Sequence, residues 1–267
     1  MINRIERTFK KLKAEGNKAL VSFVTAGDPN MKTSEQILFD LPKYGVDIIE
    51  VGIPFSDPMA DGPTIQRSSQ RAISAGSSLS RTFKIINKFR KVNSSTPIIL
   101  MGYFNPIFQF GLKKFFSSCK NIGVDGIIVV DLPPEESELI NVYTKKYGIH
   151  NIRLITPTTD KKRLKKILKF TSGFLYYVSI TGITGTKKPS ILDVKKAVNK
   201  IKINTDLPVV VGFGIDNYKQ AKALSKFSDG CVIGSAIIKI IESNKEQNKF
   251  KISKKIEDFL IKFSREK

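Results

Sequence analysis

Glu50 stands inside an otherwise apolar run, Ile48-Ile49-Glu50-Val51-Gly52-Ile53. A carboxylate in a strand covered on both faces is costly unless it is paired or does chemistry. Burial raises a carboxyl's pKa and lets it hold and release a proton near neutral pH, which is general acid–base work. A salt-bridged structural glutamate is the alternative reading. Asp61 follows in the segment Pro54-Phe55-Ser56-Asp57-Pro58-Met59-Ala60-Asp61-Gly62. In a loop after that strand it could swing over an adjoining pocket. Asp57 lies in the same loop, and plain solvation is the ordinary fate of either acid.

A second constellation is made of glycines. Val211-Gly212-Phe213-Gly214-Ile215 and Val232-Ile233-Gly234-Ser235-Ala236 both place glycine directly after an apolar run. Glycine lets backbone N–H groups approach an anion closely. A short helix starting near Ser235 would aim its amino terminus at the same spot. Thr184-Gly185 could complete such a phosphate grip; glycines serving only turns are the alternative. No lysine follows an apolar strand where a Schiff base would need it. The combination predicts acid–base chemistry on a phosphorylated metabolite.

The elements that must position these residues alternate. Short β-branched runs recur at Leu20–Val24, Asp47–Ile53, Pro97–Met101, Gly126–Val130, Ile152–Ile155, Phe174–Val178, Pro208–Val211 and Gly230–Ile233. Segments with helical spacing separate them. An extra helix opens the chain, with Ile2, Ile5, Phe9 and Leu12 on one side and Gly16 as its stop. Thr33 and Gln36 are spaced as a capping box, and Asp216 is placed to cap the helix carrying Ala221 and Leu224. After the second strand comes an unusually long loop, then a helix with Leu79, Phe83, Ile86 and Phe89 inward. Pro133 to Glu136 suit a helix's first turn.

Eight strands alternating with helices predict a parallel α/β fold. We expect residues 1–267 to form a single (β/α)8 barrel domain with an extra N-terminal helix and a short phosphate-binding helix after strand eight. Such a barrel carries its site at the carboxyl ends of the strands, where both constellations fall, and its usual phosphate site follows strands seven and eight. An open doubly wound sheet is the alternative, though its G-x-G-x-x-G turn is missing.

Composition narrows the function further. The 267 residues carry a formal charge of +21, which invites a nucleic-acid partner. The lysines are scattered over helical faces, such as Lys161, Lys162, Lys165, Lys166 and Lys169, without interleaved stacking aromatics. Solvated helix faces explain them better, and we expect no nucleic-acid partner. Cys119 and Cys231 form no C-x-x-C or Cys/His cluster. We expect two reduced, buried thiols and no metal. The one histidine, His150, lies before an apolar strand rather than after it, so acid–base work falls to carboxylates. The charged amino terminus is unlike a secretory signal and no window reaches a membrane span, so a cytoplasmic location is expected.

Six segments carry a resemblance. They are Phe23 to Pro29, Glu50 to Gly62, Met101 to Pro106, Asp131 to Glu136, Thr181 to Gly185 and Gly212 to Ile215. In order and spacing they resemble the tryptophan synthase α-subunit family over nearly the whole chain. The resemblance implies retro-aldol cleavage of indole-3-glycerol phosphate to indole and glyceraldehyde 3-phosphate. Glu50 is then the proton shuttle, and Asp61 holds the indole N–H and stabilises a cationic intermediate. Tyr176 lies near the glutamate. Thr184, Gly185, Gly214, Gly234 and Ser235 bind phosphate, and Phe23, Met101 and Phe213 line the indole pocket. Burying an indole contributes about 4–6 kcal/mol, against about 0.3–2 kcal/mol from a helix dipole at the phosphate. The resemblance implies no cofactor on this chain. It implies a pyridoxal-phosphate-dependent β subunit as partner in an α2β2 heterotetramer, met by Pro54, Phe55 and Asp57. Ile180 departs from the pattern, standing where relatives carry an arginine. A stand-alone lyase releasing free indole, another phosphate-binding barrel such as an isomerase, and a basic nucleic-acid-binding barrel are the competing readings.

Overall fold

The structure, a computed structural model, describes residues 3–179, 190–212 and 214–264. Among them are nine parallel strand segments, which make eight barrel strands. These are β1 Ala19–Thr25, β2 Ile48–Gly52, β3 Ile98–Gly102, β4 Gly126–Val129, β5 in two pieces (His150–Asn151 and Arg153–Ile155), β6 Leu175–Val178, β7 Val209–Gly212 and β8 Gly230–Ile233. The first piece of β5 pairs with β4 and the second with β6. Ile152 between them donates its N–H to Ile127 O at 2.9 Å, and β1 pairs with β8. The ring therefore closes, and the open-sheet alternative is set aside.

Two apolar clusters follow from the period-2 alternation of the strands. Val21, Ile48, Ile99, Ile128, Ile152, Val210 and Val232 point into the barrel. Their neighbours Leu20, Ile49, Leu100, Ile127, Val209 and Ile233 face the helices. Helix α1 (Arg4–Ala14) closes the amino-terminal end, because Ile5, Phe9 and Leu12 join the inner cluster. Phe9 meets the Phe174 ring at 5.6 Å. Each of those three side chains contributes roughly 1.5–3 kcal/mol by burial, so the floor of the barrel is shut and ligands must enter from the opposite end.

Three aspartates register the strands at that floor. Asp47, Asp125 and Asp229 precede β2, β4 and β8, and each accepts the N–H of the preceding strand's edge, from Leu20, Ile98 and Val209 at 2.8–2.9 Å. Asp125 also binds Arg4 at 2.9 Å and Arg90 at 2.8 Å. His150, the first residue of β5, lies at this same end, 3.3 Å from Glu6. Burial lowers its pKa.

The segment after β2 departs from expectation. Its second half is helix α3 (Pro63–Ser74), which precedes the expected helix α4 (Leu79–Val92). The buried face of α3 is Ser68, Ser69 and Ala72, so no apolar periodicity announced it. Ser68 Oγ donates to Asp28 Oδ2 and is hydrogen-bonded to the Thr25 hydroxyl. Arg71 grips Asp28 with two bonds of 2.8 Å and Glu242 at 2.9 Å. The helix is thus held by polar contacts. Two caps also differ. Asn30, not Thr33, caps α2 (Met31–Asp40) by accepting Thr33 N–H. Asn217, not Asp216, caps α10 (Tyr218–Ser225). In both cases the side chain just outside the helix reaches the third N–H.

Between β3 and β4 lie α5 (Phe104–Phe110) and α6 (Leu112–Asn121). Pro134–Glu136 form a 3-10 turn that leads into α7 (Glu138–Tyr147). Helices α8 (Lys161–Lys169) and α9 (Ile191–Lys202) follow, and α11 (Ser235–Ser243) and α12 (Lys249–Ser264) close the chain. No described helix is long and apolar enough to cross a membrane. Cys119 and Cys231 are both buried and form no disulfide.

Candidate active site

Glu50 is the third residue of β2, and it points inward because Ile48, two residues earlier, does. In register it sits between Phe23 of β1 and Ile99 of β3. It is fully buried, and neither carboxylate oxygen has a hydrogen-bond partner. Desolvation alone raises its pKa from 4.5 to about 8. The salt-bridged alternative fails on this geometry: among the described residues no cation pairs with it.

Asp61 sits at the end of the loop that leads into α3. Its N–H donates to Pro58 O at 3.0 Å, and its own carbonyl takes Gln66 Nε2 at 2.9 Å. Tyr103 follows β3, and its hydroxyl donates to Asp61 Oδ2 at 3.0 Å while accepting Ala60 N–H at 2.9 Å. The Tyr103 ring meets Phe55 at 5.1 Å. Burial raises the Asp61 pKa to about 6, opposed by the Tyr103 hydrogen bond. Burial first, then the charge of Asp61, drives the Tyr103 pKa upward. Its phenol therefore stays a donor throughout the neutral range. On the same loop Pro54 is buried, Phe55 half-buried and Asp57 exposed.

Glu50 and Asp61 line one cavity of about 240 Å³ at the carboxyl ends of the strands. Phe23, Met101, Tyr176, Gly214, Gly234 and Ser235 line it too. Its wall is completed by Ile65, Val130, Leu154 and Val232. The structure thus brings together the expected residues of β1, β2, β3, β6 and β8 and the turn after β7. Thr184, Gly185, Phe213 and the Ile180 position lie outside the described residues. Burial, then the charges of Glu50 and Asp61, push the Tyr176 pKa well above its usual value. Tyr176 is therefore a neutral hydroxyl beside two carboxyls.

The glycines do more than admit an anion. A methyl group at Gly212 would lie 2.6 Å from the Tyr176 ring, and one at Gly52 would lie 2.6 Å from the Phe23 ring. These positions are bare because two aromatic side chains occupy the space. Gly214 has φ +62°, a conformation that favours glycine. Gly234 stands at the start of α11, where no side chain caps the first turn. The orphan N–H groups of that turn open beside Gly234 and Ser235 at the cavity wall, which suits an anion.

Ile65, Tyr103, Val130 and Leu154 are among the site members that residue types and spacing did not single out. Tyr103 is buried and reads as core, and only its hydroxyl's reach to Asp61 gives it away. Val130 and Leu154 are ordinary barrel aliphatics in sequence.

The fold is a closed (β/α)8 barrel, and its mouth holds an apolar pocket with two carboxyls of separated pKa and an uncapped helix start. Residues 9–264 match the family model described as tryptophan synthase alpha chain. Tryptophan synthase subunit alpha from Legionella pneumophila is 36% identical, with 99% of this chain and 98% of that chain covered and a TM-score of 0.91. The tryptophan synthase complex from Pyrococcus furiosus matches at 35% identity, 92% and 97% coverage and TM-score 0.83. Tryptophan synthase from M. tuberculosis matches at 25% identity, 98% coverage of both chains and TM-score 0.87. The chain belongs to the tryptophan synthase alpha chain family and is a lyase of tryptophan synthesis.

Proposed function

We propose that this chain cleaves indole-3-glycerol phosphate into indole and glyceraldehyde 3-phosphate, acting as one barrel domain. The observation that carries the proposal is the pair of carboxyls in one apolar pocket with pKa values pushed to about 8 and about 6. At pH 7 Glu50 is then about nine-tenths protonated and Asp61 about nine-tenths ionised. One begins as acid and the other as anion.

The steps balance without a co-reactant. The indole ring lies against Phe23 and Met101, and its N–H donates to the Asp61 carboxylate. Glu50 delivers its proton to the ring carbon that bears the glycerol chain, leaving a cationic ring that Asp61 stabilises. The resulting Glu50 carboxylate accepts the proton of the adjacent glycerol hydroxyl. The O–H electrons become the aldehyde's second C–O bond. The electrons of the breaking carbon–carbon bond return to the ring and neutralise it. Glu50 ends protonated. Tyr176, held neutral, adds a hydroxyl dipole beside the glutamate. Gly214, Gly234 and Ser235 hold the phosphate through backbone N–H groups and the α11 dipole.

We further propose a pyridoxal-phosphate-dependent β subunit as partner, in an α2β2 assembly that takes up the indole. In support, the relative from Pyrococcus furiosus is a tryptophan synthase complex. The loop that carries Asp61 also exposes apolar surface, with Met59 69% accessible, in the same segment as Phe55 and Asp57. The test is indole release from indole-3-glycerol phosphate by purified chain with increasing β subunit. One indole and one glyceraldehyde 3-phosphate per substrate, with turnover rising as partner binds, is expected. Absence of indole with partner bound would reject the assignment, and flat turnover with bound partner would reject the coupling.

A further inference from the structure

Arg153 is a buried cation that the site above does not use. Its neighbours Ile152 and Leu154 turn into the barrel, so Arg153 turns toward the helices. It is 5% exposed. Nη2 donates to Leu132 O at 2.7 Å, but Nη1 is buried with no hydrogen-bond partner. Among the described residues no carboxylate forms an ion pair with it. The acids nearby are engaged elsewhere. Asp131 accepts Phe104 N–H at 2.8 Å, Asp160 caps α8 through Arg163 N–H at 2.7 Å, and Glu135 lies 3.3 Å from Lys166 and 3.8 Å from Arg163. Burial and the charge of Arg163 both disfavour the Arg153 cation and only Glu135 opposes them, so a directly bound anion would lower the cost of keeping it charged.

The space beside Arg153 is built to hold one. A cavity of about 400 Å³ opens there, lined by Arg153, Arg163, Thr156, Thr158 and Thr159 and by one acid, Asp131, whose carboxylate is already engaged by Phe104 N–H. The threonine hydroxyls already face one another, Thr156 Oγ1 lying 2.8 Å from Thr158 Oγ1 and 3.2 Å from Thr159 Oγ1. Val130 and Leu154 border both this cavity and the Glu50 pocket.

We propose that this cavity is a second anion site, taking a small phosphate-type oxyanion on the Arg153 fork and the Thr156–Thr159 hydroxyls. It is separate from the α11 helix start, since β5 and β8 stand three strands apart in the ring. It stands whether or not the chain cleaves indole-3-glycerol phosphate. The guanidinium supplies the charge and two aligned donors, which a lysine does not.

The test is an inorganic phosphate titration of the full chain, followed by calorimetry and by the Arg153 side-chain ¹⁵N–¹H resonances. We expect those resonances to shift saturably. Arg153→Met should weaken the event by about tenfold to a hundredfold, and Arg153→Lys by less, as loss of a charge-assisted fork predicts. Gly234→Val should leave this event in place. Unmoved Arg153 resonances at the highest soluble phosphate concentration, which needs no variant, would overturn the proposal and leave a water-filled cavity. So would equal phosphate affinity in folded Arg153→Met.

Discussion

Replacing Tyr103 by Phe removes the hydroxyl that donates to Asp61 and accepts Ala60 N–H, and leaves the ring that packs on Phe55. The Tyr103 hydroxyl lowers the Asp61 pKa against a burial effect that raises it to about 6. A hydrogen bond to a charged group contributes about 1.5–3 kcal/mol when buried. Asp61 is half-buried, so water replaces part of the loss and we take about 1.4 kcal/mol, which is about one pH unit. The Asp61 pKa then rises from about 6 to about 7. The ionised fraction at pH 6.5 falls from about 0.76 to about 0.24, a roughly threefold loss in kcat/KM, which reports the free enzyme. At pH 7.5 the change is from about 0.97 to about 0.76, so most activity returns. Loss of the Ala60 N–H acceptor loosens the loop and lowers the whole profile equally. The assay is the pH profile of kcat/KM for indole release in both proteins. An acid limb displaced upward by about one pH unit with an unmoved basic limb is expected. A profile scaled down without any displacement would refute the reasoning and leave Tyr103 as packing alone.

Glu50 also sets a pH dependence of stability. Its folded pKa is raised from 4.5 to about 8, so the folded chain keeps a proton that the unfolded chain releases. This contribution is complete below the unfolded value and is lost as pH rises through 8, at up to about 1.4 kcal/mol per pH unit. Urea unfolding at pH 5 and pH 9 should show a steeper loss for wild type than for Glu50→Gln, and equal slopes would mean that Glu50 ionises normally. Gly212→Ala places a methyl group 2.6 Å from the Tyr176 ring; it should cost about 1–3 kcal/mol by overpacking and lower kcat by displacing Tyr176, and unchanged kinetics would show that the ring is not needed where it lies. Asp125→Ala strands Arg90 and Arg4 and frees Ile98 N–H; a loss of about 3–5 kcal/mol in urea unfolding is expected for an uncompensated buried charge, and a loss under about 1 kcal/mol would show that water takes its place.

The barrel was legible because its strands are β-branched and buried on both faces, so each reads as an apolar run without needing its partners. Helix α3 was not, because Ser68, Ser69 and Ala72 make its buried face and its anchors are Arg71, Asp28 and Glu242. Periodicity detects apolar burial and misses a helix held by ion pairs. The caps at Asn30 and Asn217 were displaced by one to three residues, since several neighbouring polar side chains could make the same local bond. Glu50 stood out as a charge in an apolar strand, and Asp61 by its place in the loop that follows. Tyr103 did not, because a contact between the loop after β2 and the end of β3 exists only once both strands are in the ring. The bare positions at Gly52 and Gly212 likewise carried two meanings in sequence, and the Phe23 and Tyr176 rings supply the second.

The central claim is that Glu50 moves the proton. Single-turnover cleavage of indole-3-glycerol phosphate by Glu50→Gln, with the substrate Kd measured on the same preparation, tests it most directly. Loss of an essential acid–base group predicts a rate about 10²–10⁴-fold below wild type, with Kd changed only a few-fold. A rate within tenfold of wild type, at saturating substrate and with the fold intact, would contradict it.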